Sequence, residues 1–459
     1  LSDVQEALSN KGKHVVVQYA PAISISLAEE FNLKPGKDIN GIMNAALRKI
    51  GFDKVFDTCF TADLTVVEET YEFLDRVEKG INLPQFTSCC PGWVTYAERS
   101  CPDLLDNISS CKSPQQMFGA LAKKYYAKQL KINPKDLIVV SIMPCTAKKF
   151  EALREEFKTD GAQDVDFVMT TTELSKMIKE MGIKFSELDP ESLDMPFGFF
   201  TGAGVIFASS GGVAEAALRL AAEKLTGKSL DAVEFMDVRG MKGIKEATLN
   251  LEGIEVKVAV VSGLANAQKI IEKVRKKEAD YHLIEIMACP GGCIGGGGQP
   301  VPNDKIHREK RAKGIYEIDA TMPLKKSQDN PAIAQLYTDW LEKPNSEKAH
   351  HALHTHYGHR KRISGFEITE DSDQVQSGDE KKITVSVCVG TNCYLKGSYE
   401  VLQSLIELSK KYNVEELVEF KGTFCMENCA HGPSVKIGID EHKYGVGKDE
   451  TEKFFQEYI

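Results

Sequence analysis

The feature that most constrains the fold of this chain is a set of three short segments in which cysteines lie among glycines and prolines. They are residues 87–93 (TSCCPGW), 143–149 (MPCTAKK) and 285–300 (EIMACPGGCIGGGGQP). Each lies at the end of a predicted strand and presents sulfur in a tight loop. The glycine run after Cys293 lets backbone amides approach a bound group closely. The sequence therefore predicts a site assembled from loops at strand ends.

The twelve cysteines of the chain indicate metal ligation rather than disulfide bonds. A chain of 459 residues can bury a sizeable core, and its first residues show no secretory signal. Cysteines in loops with glycine and proline are typical of iron–sulfur ligation, because the backbone bends closely around a cluster. We expect the reducing cytoplasm of an anaerobe as the setting.

Charge and hydropathy exclude two classes of partner. The net charge of −10 argues against a broad nucleic-acid-binding surface. No apolar stretch is long enough to predict a membrane span. The chain starts at Leu1 rather than at methionine, which is compatible with a fragment of a longer protein.

Apolar runs alternate with helical periodicity over most of the chain, which predicts an α/β fold with mostly parallel sheets. A buried strand in residues 14–24 leads into a loop at Pro21, and a helix over residues 331–359 closes the large domain. The remaining predicted strands are residues 137–142, 166–170, 256–261 and 281–287, and the remaining helices are residues 38–51, 62–79, 113–129, 172–181 and 212–225.

A polar, acidic stretch divides the chain into two domains. We predict a large catalytic domain over residues 1–360, a flexible linker over 361–382 and a small domain over 383–459. The small domain has the pattern strand, helix, strand, two short strands and a final helix. It carries four cysteines, Cys388, Cys393, Cys425 and Cys429, in two pairs at or after strands. Four thiolates suffice for a [2Fe–2S] cluster, and zinc is the chief competitor.

The segments VCVGTNCYLKGS and FCMENCAHGPSVKI around these cysteines resemble the thioredoxin-like [2Fe–2S] domain of complex-I-type NADH dehydrogenases. The three motifs of the large domain, taken in order, resemble the active-site domain of [FeFe]-hydrogenases from about residue 14 to residue 357. That second resemblance implies a two-lobed domain holding the H-cluster, a [4Fe–4S] cubane joined to a di-iron unit with CO, cyanide and azadithiolate ligands. Cys90, Cys145, Cys289 and Cys293 would hold the cubane, and Cys293 would bridge to the di-iron unit.

The hydrogenase resemblance also implies the other site residues. Lys148 would hydrogen-bond a cyanide ligand, and further cofactor contacts would come from Pro21, Ser113, Gln115, Met143, Phe207 and Met287. Protons would travel through Cys89, Glu69, Ser109, Glu72 and Arg76. The spacing of Glu69, Glu72 and Arg76 places all three on one face of a helix. Two positions depart from the family pattern: Ala208 replaces a glycine, and Ala22 stands where many members have serine.

The implied function is reversible oxidation of H₂ to protons, with electrons passed through the iron–sulfur clusters. The implied partners are a flavin- and NAD(P)-binding subunit and ferredoxin, in an arrangement that allows electron bifurcation, together with maturation enzymes that supply the di-iron unit. The N-terminal accessory-cluster modules of larger members either are absent or precede Leu1. Two alternatives stay open: an H₂ sensor, and a non-catalytic relative that serves iron–sulfur cluster assembly.

Several other features have simpler explanations. Cys59, Cys101 and Cys111 belong to no motif and are expected to be core residues. The histidine-rich run over residues 350–359 could bind metal, but a polar helix end is the favoured interpretation. The glycines at 295–298 lack the Lys-Ser/Thr that a phosphate-binding loop requires.

Overall fold

A computed structural model describes residues 1–229, 234–251, 253–360, 383–388, 393, 396–414, 417–423, 433–438 and 444–458. The chain divides into two compact units, Leu1–Phe366 and Glu367–Ile459. The predicted linker over residues 361–382 lies outside the described residues, so its bounds stay a prediction. Among the described residues, every helix is too short or too polar to cross a bilayer.

The first sheet of the large unit is entirely parallel. Its strands, numbered in chain order, are β1 (His14–Tyr19), β2 (Lys54–Asp57), β4 (Leu137–Met143) and β7 (Phe167–Thr170), in the order β2-β1-β4-β7. Val16 and Val17 of β1 are fully buried, as expected for a parallel strand covered on both faces. This sheet confirms the α/β class that the alternating pattern predicts.

The second sheet is parallel except at one edge. It contains β3 (Gln85–Phe86), β8 (Ile244–Leu251), β9 (Ile254–Ser262) and β10 (Leu283–Met287) in the order β3-β10-β9-β8. β8 pairs antiparallel with β9, and the other two pairings are parallel. The sequence analysis missed β8, because its residues IKEATLNL alternate weakly and lack the continuous apolar run of a central strand. Two further strands, β5 (Lys158–Thr159) and β6 (Ala162–Gln163), form a short hairpin.

Fifteen helices of the large unit, each within the described residues, surround these sheets. They are α1 (Ser2–Ser9), α2 (Pro21–Ser26), α3 (Asn40–Ile50), α4 (Cys59–Lys79), α5 (Pro91–Ser100), α6 (Pro114–Leu121), α7 (Ala127–Leu130), α8 (Ala147–Ala152), α9 (Thr171–Glu180), α10 (Gly202–Ile206), α11 (Gly212–Thr226), α12 (Leu264–Arg275), α13 (Lys305–Thr321), α14 (Pro331–Leu336) and α15 (Glu347–Leu353). A π-helical segment, Ala122–Tyr126, joins α6 to α7.

Two predictions about local structure are wrong. Pro21 does not lie in a loop but begins α2, where a proline is favoured because its missing N–H has no helical partner to lose. The single closing helix over residues 331–359 is broken into α14, a π-helical segment (Tyr337–Leu341) and α15. The break contains Pro344, and Glu342 and Asn345 adopt positive φ angles of 70° and 54° that a continuous helix does not allow.

The small unit contains the predicted elements. Its sheet has the order β12-β11-β13-β14, with a parallel β11–β12 pair and antiparallel pairs beyond. Val385 and Val387 of the strand Ile383–Cys388 are fully buried in the hydrophobic core of this unit. The strands are β11 (Ile383–Cys388), β12 (Val418–Thr423), β13 (Ser434–Ile437) and β14 (Tyr444–Gly445), and the helices are α16 (Ser398–Lys411) and α17 (Thr451–Tyr458).

Candidate active site

A buried cavity lies where the carboxyl ends of the two large sheets approach each other. The space that it offers to water-sized molecules is about 60 Å³, and its lining is almost entirely apolar. Strands β1 and β4 contribute residues just beyond their ends, and so do β3 and β10. The lining residues are Ala20, Pro21, Ala22, Thr58, Ala62, Cys89, Pro114, Gln115, Met143, Pro144, Cys145, Lys148, Phe207, Ala208, Met287 and Cys293. The structure thus brings all three cysteine motifs to one place.

Cys90, Cys145, Cys289 and Cys293 form one group beside this cavity. Burial, and then the proximity of the other three sulfurs, raises the pKa of the Cys293 thiol well above its ordinary value. Burial likewise raises the pKa of Cys289 to about 12. Such thiols lose their protons when metal cations offset the desolvation of the thiolates. The group therefore has the donor chemistry of a metal centre.

The spacing of these four sulfurs favours a cluster over a single ion. Among the described residues, the one group of three or more side chains whose ligand atoms lie within 4.8 Å of one another is Glu72, Cys111 and His354. No three of the four cysteine sulfurs are that close together. Four sulfurs around one zinc ion, each about 2.3 Å from it, would be closer to one another than this limit. The described side chains thus leave these sulfurs spaced too widely for one zinc ion, whereas a multi-iron cluster needs such wider spacing.

Helix starts and tight backbone contacts hold the cysteine loops. Cys90 is the N-cap of α5, and its Sγ accepts a hydrogen bond from the Ala288 N–H at 3.4 Å. A Cβ added to Gly296 would lie 2.1 Å from the Pro144 carbonyl oxygen, which is far inside van der Waals contact. The second and third motifs therefore pack together only because position 296 lacks a side chain.

Lys148 is a buried cation at the wall of the cavity. Its Nζ donates to the Cys89 carbonyl at 3.1 Å and to Glu151 Oε2 at 2.9 Å. Burial alone would lower the pKa of Lys148, but the ion pair with Glu151 outweighs it and the net shift is upward. Glu151 also accepts hydrogen bonds from Ser113 Oγ at 3.0 Å and Gln115 Nε2 at 3.1 Å. Lys148 therefore stays charged beside an apolar space.

The predicted cofactor contacts divide into two groups. Pro21, Gln115, Met143, Phe207 and Met287 line the cavity. Ser113 is not among the lining residues, and its hydroxyl instead orients Glu151 behind Lys148. The side-chain oxygen of Gln115 is buried without a hydrogen-bond partner among the described residues, so it can accept a hydrogen bond from a bound group.

The predicted proton path begins at the cavity with Cys89. Burial raises the pKa of this thiol well above its ordinary value, and the nearby Glu69 carboxyl raises it further. Burial also raises the pKa of Glu69 to about 8. Glu69 Oε1 accepts from the Ser88 N–H at 3.3 Å, whereas its Oε2 is buried without a hydrogen-bond partner. At neutral pH both groups carry their protons, as a relay that moves protons through a dry region requires.

Glu72 lies at the outer end of this path, and four donors surround its carboxylate. Ser109 Oγ donates to it at 2.7 Å and Arg76 Nη2 at 2.7 Å, and the remaining donors are the Ser110 N–H and hydroxyl. Arg76 also donates to the carbonyls of Asn107 and Ile108, both at 3.0 Å. These side chains do not form a solvated helix face, because Glu69 is 1% and Arg76 7% exposed.

Sequence reasoning missed three polar residues that support the site. Glu151 anchors Lys148, three residues before it on α8. The Gln299 amide binds Ser26 and Thr171 hydroxyls at 2.6 and 2.8 Å, which links the glycine loop to α2 and α9. Glu285 on β10 accepts from the Gly211 N–H at 2.6 Å. The i,i+3 spacing of Lys148 and Glu151 was the one available signal.

Two of the four cysteines predicted to bind a cluster in the small unit lie among the described residues. Cys388 and Cys393 touch each other, and each is 2% exposed. Cys425 and Cys429 lie outside the described residues. The four-cysteine ligand set of this domain therefore stays a prediction.

Together, the fold and the site define an α/β protein in which four cysteines with the donor chemistry of an iron–sulfur centre lie beside an apolar cavity. The family described as iron only hydrogenase large subunit, C-terminal domain, matches residues 13–297, and that described as iron hydrogenase small subunit matches residues 304–360. The chain belongs to the iron-only hydrogenase family.

Individual relatives include enzymes and assembly factors. The chain is 50% identical to the NADP-reducing hydrogenase subunit HndD of Solidesulfovibrio fructosivorans, over 79% of this chain and 63% of that protein. It is 36% identical to the cytosolic Fe-S cluster assembly factor narfl of Xenopus tropicalis, over 75% of this chain and 74% of that one. The solved structure of a variant of [FeFe]-hydrogenase HydA1 from Chlamydomonas reinhardtii superposes with a TM-score of 0.70 at 43% identity, covering 78% of this chain and 99% of that one. The chain thus spans less than two thirds of the length of HndD.

The packing of Gly296 predicts a sharp difference between neighbouring glycines. Gly296→Ala places a methyl group against the Pro144 carbonyl and should displace Cys293 or Cys145, so iron bound per chain should fall by half or more. Gly297→Ala is the control, because its added Cβ would meet nothing closer than Thr146 Oγ1 at 3.8 Å. Equal iron and sulfide contents in the two purified variants would contradict this account of the loops.

The raised pKa of Glu69 predicts a pH-dependent stability. Between the ordinary value of 4.5 and about 8 the folded state holds a proton that the unfolded state has lost, so the free energy of unfolding falls as pH rises through this range. The slope from this group is at most about 1.4 kcal/mol per pH unit. In Glu69→Gln that slope should disappear, as denaturant unfolding at several pH values would measure. An unchanged slope would show that Glu69 is ionised in the folded protein.

Proposed function

We propose that this chain is the catalytic part of an [FeFe]-hydrogenase, which interconverts H₂ with two protons and two electrons at an H-cluster. The observation that carries the proposal is the combination of a cysteine-walled cavity with a buried path of protonatable side chains leading from it. A cluster that only stores or transfers electrons has no need of such a path. H₂ chemistry needs one, because protons must cross a region that excludes water.

The residues around the cavity fit the H-cluster by their chemistry. Cys90, Cys145, Cys289 and Cys293 would hold the cubane, and Cys293, which lines the cavity, would bridge to the di-iron unit. Lys148 would donate to an anionic cyanide ligand, since a buried cation favours an anion next to it. Met143, Met287 and Phe207 would enclose the unit with soft, apolar walls. When bound, the cluster supplies the redox chemistry and the metal site at which H₂ reacts.

The chain's own groups would move the protons. The Cys89 thiol lines the cavity and stays neutral, so it can give and take a proton without leaving a charge in the apolar space. Glu69, the next group, is also protonated at neutral pH. Ser109 would relay a proton between Glu69 and Glu72, and its hydroxyl donates to Glu72 at 2.7 Å. Arg76 holds Glu72 in place at the outer end through their ion pair of 2.7 Å.

A cluster-assembly function is the second candidate, because relatives of that kind are 36% identical to this chain. Two observations favour catalysis. Identity to HndD is higher, at 50%. The proton path is also complete in side chains, from Cys89 to Arg76, although each of its buried carboxyls costs desolvation energy. An H₂ sensor would share this chemistry and differ in turnover and in appended domains.

Electrons would leave the cubane toward a redox partner. We propose that Cys388, Cys393, Cys425 and Cys429 bind a [2Fe–2S] cluster in the small domain, and that a flavin- and NAD(P)-binding subunit and ferredoxin exchange electrons with this protein. Support comes from the NADP-reducing activity named for HndD. Maturation enzymes would supply the di-iron unit, and we propose an anaerobic cytoplasm as the location.

The proposal is tested by anaerobic H₂ uptake with an artificial acceptor, using protein matured with the di-iron unit. Cys89→Ala should reduce the rate by ~10²-fold or more, the usual contribution of a positioned proton donor. The [4Fe–4S] electron paramagnetic resonance signal should survive. Cys101→Ala is the matched control, because Cys101 is a buried core cysteine in a separate hydrophobic cluster. Absence of activity in the wild type, despite infrared bands of CO and cyanide on iron, would overturn the catalytic function.

The small domain calls for a separate measurement. The reduced full chain should show a [2Fe–2S] resonance in addition to that of the cubane, and Cys425→Ser and Cys388→Ser should each abolish only this additional signal. Artificial-dye activity should remain, whereas reduction of an NAD(P)-linked partner should fail. Stoichiometric zinc with no second iron–sulfur signal would exclude this electron route.

A further inference from the structure

A buried hydrogen-bond network branches away from the proposed proton path at Glu72. The Ser110 hydroxyl lies 3.1 Å from Glu72 Oε1 and 2.8 Å from His354 Nδ1. His354 Nε2 lies 2.9 Å from Glu68 Oε2, and Tyr337 donates to Glu68 as well. His354 belongs to the histidine-rich run of residues 350–359. His350 and His351 lie exposed in the last turn of α15, the polar helix end that the sequence predicts, whereas His354, the C-cap of this helix, is only 8% exposed.

The chain fixes this geometry firmly. Cys111 and His354 form an antiparallel backbone bridge. The Thr355 N–H donates to the Ser110 carbonyl at 2.7 Å, and the Lys112 N–H donates to the Leu353 carbonyl at 2.8 Å. These backbone contacts hold the Ser110 hydroxyl and the His354 ring side by side.

Hydrogen counting shows that this network lacks one proton. Glu68 is an acceptor, so the Nε2 of His354 carries hydrogen and its Nδ1 is an acceptor when the ring is neutral. Ser110 then has a single proton but two acceptors, His354 Nδ1 and the ionised Glu72. One of its two contacts is always without hydrogen.

One added proton completes both contacts, and it can reside at either end. As a carboxylic acid, Glu72 donates to Ser110, which donates to His354. As an imidazolium, His354 donates to Ser110, which donates to Glu72. The two states interconvert when both protons shift along the Glu72–Ser110–His354 line, with no bond formed or broken elsewhere and no net charge gained.

We propose that His354, acting through Ser110, stores one proton next to the relay at Glu72. This inference rests on the proposed function, since each H₂ consumes or releases two protons while a single-file path carries them one at a time. A proton held on His354 can reach Glu72, the outer carboxylate of the path, through the single intervening hydroxyl of Ser110.

The charged and titratable groups around His354 support a stored positive charge. Glu68 and Glu72 of α4 face the ring from two sides, and Arg76 balances Glu72. The Cys111 Sγ lies 4.0 Å from Nδ1, and burial raises the pKa of this thiol well above its ordinary value, so it stays neutral. Tyr337 donates to Glu68, and the exposed His350 ring lies against that of His354, tilted by 32° with centroids 4.0 Å apart. Two carboxylates thus face one fixed cation and one ring that can become cationic.

The test compares His354→Gln and Ser110→Ala with wild type in the matured full chain. Glutamine can still donate to Glu68 but cannot accept a proton, and Ser110→Ala removes the connection. His307→Gln is the matched control, since His307 lies at the start of α13 and its ring contacts Asp304, its sole side-chain partner in the described part of the chain. We expect both test variants to lose one ionisation from the pH profile of H₂ turnover. Rates below neutral pH should fall ~3- to 10-fold, and alkaline rates should be retained, because a storage group contributes less than a relay group.

Three outcomes would overturn the proposal. A uniform loss at every pH with a lowered melting temperature would give His354 a purely structural role. Unchanged profiles in both variants would remove any role. Stoichiometric zinc bound to Glu72, Cys111 and His354, detected by X-ray absorption of the holoprotein, would mean that a metal ion rather than a proton completes the network.

A measurement independent of turnover separates this inference from the proposed function. Infrared difference spectra during a pH titration should contain histidine ring and carboxylic acid bands that are lost together in His354→Gln. These bands should appear even in a protein without hydrogenase activity. Their absence in an active wild type would overturn the proton store and leave the hydrogenase function standing.

Discussion

The structure depends on the burial of ionisable groups at the meeting point of two sheets. Burial, and then the proximity of the other three cysteine sulfurs, raises the pKa of the Cys293 thiol well above its ordinary value. Thiolates at these four positions would repel one another, so the ionised ligand set is favourable only with metal cations among the sulfurs. Loop shape, glycine content and the buried Lys148 can all be understood as consequences of that requirement.

Helix α4 places several ionisable side chains of the proposed proton path in the protein interior. Its Glu68 and Glu69 are almost fully buried, and the Glu72–Arg76 pair lies nearer its C-terminal end. Buried carboxyls cost free energy unless they are protonated or fully hydrogen-bonded. Glu69 uses the first solution, with a pKa raised to about 8. Glu72 uses the second, with four donors around its carboxylate. A single helix therefore places two carboxyls in different surroundings, one almost without hydrogen-bond donors and one ringed by them.

Predictions from sequence succeeded where local patterns reflect local physics. Apolar runs gave the parallel strands β1, β4, β9 and β10, because such strands are covered on both faces. Prediction failed at Pro21, where a proline was taken for a loop although it begins a helix, and in the closing segment, where helical periodicity continues through a break at Pro344. The edge strand β8 was not predicted, because a strand at the edge of a sheet needs no continuous apolar run.

The sequence by itself predicted the glycine-rich loops that carry the cysteines, because these are local patterns, whereas the predicted ligands and proton-path residues followed from the resemblance to [FeFe]-hydrogenases. Only the tertiary structure decided what surrounds them. Ser110 and His354 are separated by 244 positions, and Glu68 and Tyr337 by 269, so no local pattern could join them. Lys148 and Glu151 pair beside the cavity because the packing of the domain turns this face of α8 toward it. Hydrogen bonds of buried polar groups are set by which segments meet in space, and that is decided by the packing of the whole domain.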